Sequence, residues 1–153
     1  MLMKPRRSAI ILSLVFASMT LVAKAESEAV SPVAQIRAVL YAQREAWNRG
    51  DVDAYMIGYA KSEATEFVSG DTLTRGWQTV RDRYKKKYDS REKMGVLAFT
   101  EVKITPLTGD AALTTGRWKL TRKADHPHGR FTLLFRRTPA GWRIVHDHTS
   151  SAN

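Results

Sequence analysis

The sequence contains no cysteine, which excludes structural disulfides and thiol chemistry. It also lacks an apolar run long enough to cross a bilayer. Ile10–Val22 is a short apolar run that falls short of the roughly 18–20 residues a spanning helix needs. Acidic side chains are scarce, 15 against 25 lysines and arginines. Beyond residue 25 there is no repeat, linker or low-complexity tract, so residues 26–153 read as one domain, long enough to bury a core.

The N-terminus has the three parts of a secretory signal. Lys4, Arg6 and Arg7 precede the apolar run, and Ala23-Lys24-Ala25 supplies a small-x-small cleavage pattern. The residues flanking Arg6-Arg7 do not complete a twin-arginine signal. Residues 1–25 are therefore expected to be removed, leaving a periplasmic or secreted protein with no membrane span. Removal takes four of the 25 basic residues and none of the 15 acidic ones, so the net charge drops from +10 to +6. Export removes most nucleic-acid partners, and a charge of this size then serves solubility or contact with envelope polyanions.

Periodicity divides the rest into helices followed by strands. Ser31-Pro32 reads as an N-cap with proline in the first turn. Val33, Ile36, Leu40 and Trp47 recur at helical spacing, with Gln43 as a polar interruption that needs a partner. Gly50 ends this helix and Asp51 caps a short second one. Gly70-Asp71 centres a small hairpin, and Trp77, Val80, Tyr84 and Tyr88 mark a third amphipathic helix. Strands are expected at about 95–106, 112–123, 130–138 and 141–149, joined by turns of Gly, Asp and Pro. This order predicts an α+β, cone-shaped fold: three N-terminal helices packed on a curved, mostly antiparallel sheet, enclosing a pocket.

Strand phase then predicts a site. Opposing Arg137 to Trp142 sets Phe135 against Ile144, Leu133 against His146 and Phe131 against His148. Across the His-Pro-His loop, Phe135 is set against Trp118, Leu133 against Leu120 and Phe131 against Arg122. One face then carries Trp118, Leu120, Phe131, Leu133, Phe135, Trp142 and Ile144, together with His146 and His148, while Asp147 points the opposite way. Apolar walls with a few convergent polar groups are the composition of a small-molecule pocket.

Several stretches resemble one family. Ala46-Trp47-Asn48-Arg49-Gly50-Asp51, Gly116-Arg117-Trp118, the run Gly129–Phe135 and the run Gly141–Ser150 are similar to SnoaL-like members of the nuclear-transport-factor-2-like superfamily. The resemblance covers about residues 33–150. It implies a cone-shaped α+β fold, a pocket between helices and sheet, and commonly a homodimer, in a superfamily of isomerases, cyclases, dehydratases and binding modules. The carboxylate base of its ketosteroid isomerases falls on Phe67 or Val68, and their helix-one tyrosine falls on Gln43. The paired aspartates and arginine of its epoxide hydrolases are not found.

His146 is thus expected as a general base, or as a donor to a bound carbonyl or carboxylate, with His148 and Arg122 at the same end of the sheet. Gln43, Tyr55, Trp118, Phe131 and Leu133 are expected to line the pocket. The pairs His126/His128 and His146/His148 have metal-ligand spacing on a strand, but no carboxylate completes a shell, and neither metal nor cofactor is expected. The basic run from Arg81 to Lys93, interleaved with Tyr84 and Tyr88, reads as the solvated back of a helix. Three functions compete: an exported small-molecule-binding domain; an isomerase, cyclase or dehydratase with a histidine base; and a dimeric interaction module using the outer sheet face around Leu134 and Val145.

Overall fold

A computed structural model describes residues 30–152. The signal-peptide reading of residues 1–25 lies outside these residues. Helix α1 spans Pro32–Asn48; the Ser31 hydroxyl accepts from the Ala34 amide at 3.2 Å and Pro32 occupies the first turn. Gly50 takes φ of 86°, which favours glycine, and the chain turns there. Asp51 Oδ1 accepts from the Ala54 amide at 2.8 Å and starts α2, Val52–Met56. Strands β1, Glu66–Ser69, and β2, Thr72–Arg75, form the expected hairpin; α3, Trp77–Lys87, and the single turn α4, Arg91–Met94, follow.

The long strands are β3, Val96–Pro106; β4, Ala111–Thr121; β5, His128–Thr138; and β6, Gly141–Thr149. They pair as an antiparallel meander. The hairpin joins the same sheet because β1 runs parallel to β6, giving six strands in the order β2-β1-β6-β5-β4-β3. The helices pack on one side of this curved sheet, so the α+β cone expected from the sequence is the fold observed.

The Trp47-Asn48 pair explains how α1 is fastened to the sheet. The Trp47 indole donates to the Met94 carbonyl at 3.1 Å. Asn48 makes two bonds to Leu97, donating to its carbonyl at 3.1 Å and accepting from its amide at 2.7 Å. Ile36, Leu40, Ala46 and Trp47 thereby lie against Leu97, Leu120, Phe135 and Trp142 in one buried core. Full burial of a side chain such as Ile36 contributes about 1.5–3 kcal/mol.

Two expectations of register are corrected. Across β4–β5, Phe135 opposes Ala112, Leu133 opposes Thr114 and Phe131 opposes Gly116. The reversal occurs earlier than expected: Arg122 N donates to Asp125 O at 3.0 Å, closing the turn at Lys123-Ala124. Pro127 does not end the ladder, since its carbonyl still accepts from Leu120 N at 2.8 Å; only the reciprocal bond is forfeited, proline having no amide hydrogen. The apolar face survives because the displacement is an even number of residues.

The second correction changes the site. Phe135 opposes Ile144 as expected, but Leu134 then opposes His146, Leu133 opposes Asp147 and Thr132 opposes His148. Val145 is an extra residue, a β-bulge, which inverts the alternation of the strand beyond it. His146 and His148 therefore face outward, and Asp147 faces the helices. The bulge falls where β6 changes neighbour on its other edge. Ile144 bonds to the Gly58–Ala60 segment, through Ile144 N to Gly58 O at 2.9 Å and Ala60 N to Ile144 O at 2.8 Å. From His146 onward the neighbour is β1.

Candidate functional site

A cavity of about 90 Å³ lies between the sheet and the helices. By volume it accommodates roughly three waters or a short carbon chain, and it opens to solvent on the side of Arg83 and Lys87. Leu97, Phe99, Trp118, Phe131 and Leu133 supply its sheet wall, and Leu40, Gln43, Trp47 and Tyr55 its helical wall. Tyr59, Tyr84 and Asp147 supply hydroxyls and a carboxyl. Most of the aromatic rings pack edge-on or tilted, with Tyr55 5.3 Å from Tyr84 and 5.2 Å from Trp47 between ring centroids, while Tyr84 stacks on Tyr88 at 6.0 Å.

Asp147 is 3% exposed. The Tyr59 hydroxyl donates to its Oδ2 and the Thr149 hydroxyl to its Oδ1, both at 2.7 Å. Tyr59 has one hydrogen, so when Asp147 is ionised the Tyr84 hydroxyl, 3.4 Å away, supplies the hydrogen between the two tyrosines. The result is a relay from Tyr84 through Tyr59 to Asp147. Burial pushes the Asp147 carboxyl up to about 6, opposed by the Tyr59 and Thr149 bonds and by the nearby His146 and His148. Burial, with the Asp147 charge second, also pushes the Tyr59 hydroxyl well above the ordinary tyrosine range.

Of the residues expected at the site, Gln43, Tyr55, Trp118, Phe131 and Leu133 line the cavity. Gln43 is buried and donates to the Tyr55 carbonyl at 3.2 Å, which supplies the partner its apolar surroundings demand. Arg122, His146 and His148 are not among the lining residues. His146 Nδ1 lies 3.0 Å from Glu66 Oε2 on the outer face, where Glu66 also accepts from Arg75 at 2.8 Å. Arg75 first and His146 second hold the Glu66 carboxyl below its usual range. Arg122 does not meet His148, because Phe131 opposes Gly116 and Thr149 instead. No cluster of three metal-ligating side chains occurs among the described residues.

The sequence reading missed Asp147, Tyr59 and Tyr84 as a polar group, and it missed Arg83 and Lys87 at the rim. The reading of the basic run as a solvated face holds for part of it. Arg81 and Lys85 both bridge Asp53, at 2.5 and 2.7 Å. Arg83 and Lys87 border the cavity instead.

A helix-covered curved sheet with a cavity between its layers is the architecture of the nuclear-transport-factor-2-like proteins. This chain belongs to the SnoaL-like domain family, whose model matches residues 36–153. It is similar to an NTF-2 like protein of unknown function from Shewanella oneidensis MR-1, at 42% identity and a TM-score of 0.76, covering 78% of this chain and 99% of that one. A ketosteroid isomerase-like protein from Erwinia carotovora atroseptica SCRI1043 shares the fold at 20% identity and a TM-score of 0.64, covering 80% of this chain and 98% of that one. A protein of unknown function with a cystatin-like fold from Nostoc punctiforme PCC 73102 does so at 11% identity and a TM-score of 0.65, covering 80% and 94%. No curated protein matches significantly.

Proposed function

We propose that the protein binds a small molecule in this cavity and docks an uncharged oxygen of it against Asp147, Tyr59 and Tyr84. The observation that carries the reading is Asp147 itself. A carboxyl group turned into an aromatic cavity and bonded to Tyr59 at 2.7 Å is costly to bury, and recognition of a polar ligand atom gives that cost a use. Ionised, the carboxyl accepts from a hydroxyl; protonated, it donates to a carbonyl. The test is a titration with 2-pentanone, followed by amide shifts and by thermal stability, which rises with ligand concentration when the folded state binds. Shifts clustered around Tyr59, Tyr84 and Asp147, and weakened in Tyr59→Phe, are expected. No binding up to the ligand's solubility would remove the reading.

A second reading is favoured by the carboxyl's position near 6, suited to proton transfer at neutral pH. Asp147 would take a proton from the α carbon of a β,γ-unsaturated ketone and return it to the γ carbon as the double bond moves into conjugation with the carbonyl, as in an isomerase. The base is then Asp147 and not His146. Exchange of α-hydrogens of a bound ketone in deuterated water, lost in Asp147→Asn, would establish it.

We infer further that the protein works outside the cytoplasm, on the strength of the signal-like sequence of residues 1–25. Fractionation of a tagged full-length chain tests this. A homodimer through the outer face near Leu134 and Val145 is our expectation for the assembly, checked by light scattering.

A further inference from the structure

We propose that the cavity's rim binds a carboxylate, and that its ligands are short organic acids carrying a carbonyl or hydroxyl oxygen a few carbons from the acid group. This rests on the cavity being a binding site and adds the chemical class of what it binds.

The contrast lies within one helix. On the side of α3 that meets α2, Arg81 and Lys85 share the Asp53 carboxylate. On the side that meets the cavity, Arg83 and Lys87 stand one turn apart, and neither has a carboxylate within 4.0 Å among the described residues. Like charges at this spacing repel, and here the pair is drawn against an aromatic wall. The Arg83 guanidinium lies over the Phe67 ring, 4.9 Å from its centroid, and donates to Thr74 Oγ1 at 2.6 Å. It is thus held in one orientation while its remaining donors meet no other acceptor among the described residues. The Lys87 ammonium lies 5.4 Å from the Tyr88 ring centroid.

Among the described residues Asp147 is the one acidic residue lining the cavity, and it makes no ion pair within 4.0 Å with Arg83 or Lys87. Lys87, for its part, is held below the usual lysine range by burial first, then by Arg83 and Arg122. Arg122 does not line the cavity and is paired with Asp125 at 3.6 Å. Arg83 and Lys87 thus bring positive charge to the rim with no ion-pair partner among the described residues, and a carboxylate there is matched by one arginine fork and one ammonium. Ser69 and Thr149, opposed across β1–β6, add hydroxyl groups to the cavity lining.

Size sets the rest of the ligand. A cavity of about 90 Å³ takes a chain of a few carbons and excludes a fused-ring body unless the walls move. Its inner end presents Tyr59, Tyr84 and Asp147 to a second oxygen.

The experiment compares 4-oxopentanoate, 4-oxopentanamide and 2-pentanone by NMR titration against the folded full domain. We expect the acid to bind with a dissociation constant on the order of 1 mM, and the amide about tenfold more weakly. In Lys87→Gln and Arg83→Gln the ratio of acid to amide affinity should fall to about one, and Arg83→Lys should keep most of the preference. Lys87 is exposed and only part of its side chain is desolvated, so its replacement leaves the fold intact. Equal binding of acid and amide, or a preference that survives both glutamine variants, would overturn the carboxylate assignment and leave the cavity reading standing. Failure of all three ligands would overturn both.

Discussion

Leu134 faces His146 across the β5–β6 ladder, although the neighbouring pair is Phe135 with Ile144. That single offset, absorbed by Val145, decides which of three consecutive polar residues enters the interior. Deleting Val145 would restore simple alternation, aim His146 and His148 inward and expel Asp147. The deletion should leave the chain unable to hold a native core, read as loss of the near-ultraviolet circular dichroism signal. A native-like spectrum and an unchanged melting temperature would show that the bulge does not set the phase.

Stability should depend on pH through Asp147. Its folded-state value, near 6, lies above that of an unfolded aspartate, about 3.9. Between these values the folded protein binds more protons than the unfolded one, so this group lowers stability as pH rises from about 4 to 6, and the loss is complete above 6. A rise from the ordinary aspartate value to about 6 corresponds to about 3 kcal/mol. Asp147→Asn should therefore be more stable than the parent at pH 8 and similar to it at pH 4, as measured by urea unfolding at both pH values.

Tyr59→Phe removes a hydroxyl that donates to Asp147 at 2.7 Å. Losing a hydrogen bond to a charged group costs about 1.5–3 kcal/mol where the carboxyl is ionised. The destabilisation should be larger at pH 8 than at pH 4, the opposite trend to Asp147→Asn.

The outward histidine should matter little. His146 pairs with Glu66 at 3.0 Å on a face where its side chain is 38% exposed, and exposed pairs contribute about 0–1 kcal/mol. His146→Ala should change stability by less than about 1 kcal/mol and leave 2-pentanone binding within twofold. A tenfold loss of binding would restore histidine to the site.

Gly116 opposes Phe131 on the inner face, and a Cβ at residue 116 would collide with the Phe131 ring. Gly116→Ala should push that ring toward the cavity, at a cost of about 1–3 kcal/mol, and weaken ligand binding more than it weakens folding.

Much of this fold is written in local signals. Ser31, Asp51 and the Gly70-Asp71 turn mark element ends by capping and turn chemistry, and the apolar alternation of β4 and β5 identifies the inner face with no knowledge of pairing. The polar centre depends on a non-local event. The bulge at Val145 arises where β6 exchanges the Gly58–Ala60 segment for β1 as its neighbour, and neither contact is encoded near residue 145. Trp142 and Ile144 set an alternation that placed His146 inward by simple continuation. Arg83 was hidden for a similar reason: Thr74 and Phe67, which hold it beside the cavity, come from a hairpin whose docking no helical periodicity reveals.

The most direct test of the inward carboxyl is a carbon-13 NMR titration of the Asp147 side chain, with and without 4-oxopentanoate. A midpoint near 6, displaced by the ligand, is the predicted result. A midpoint near 4 that ignores the ligand would place Asp147 in water and contradict the account.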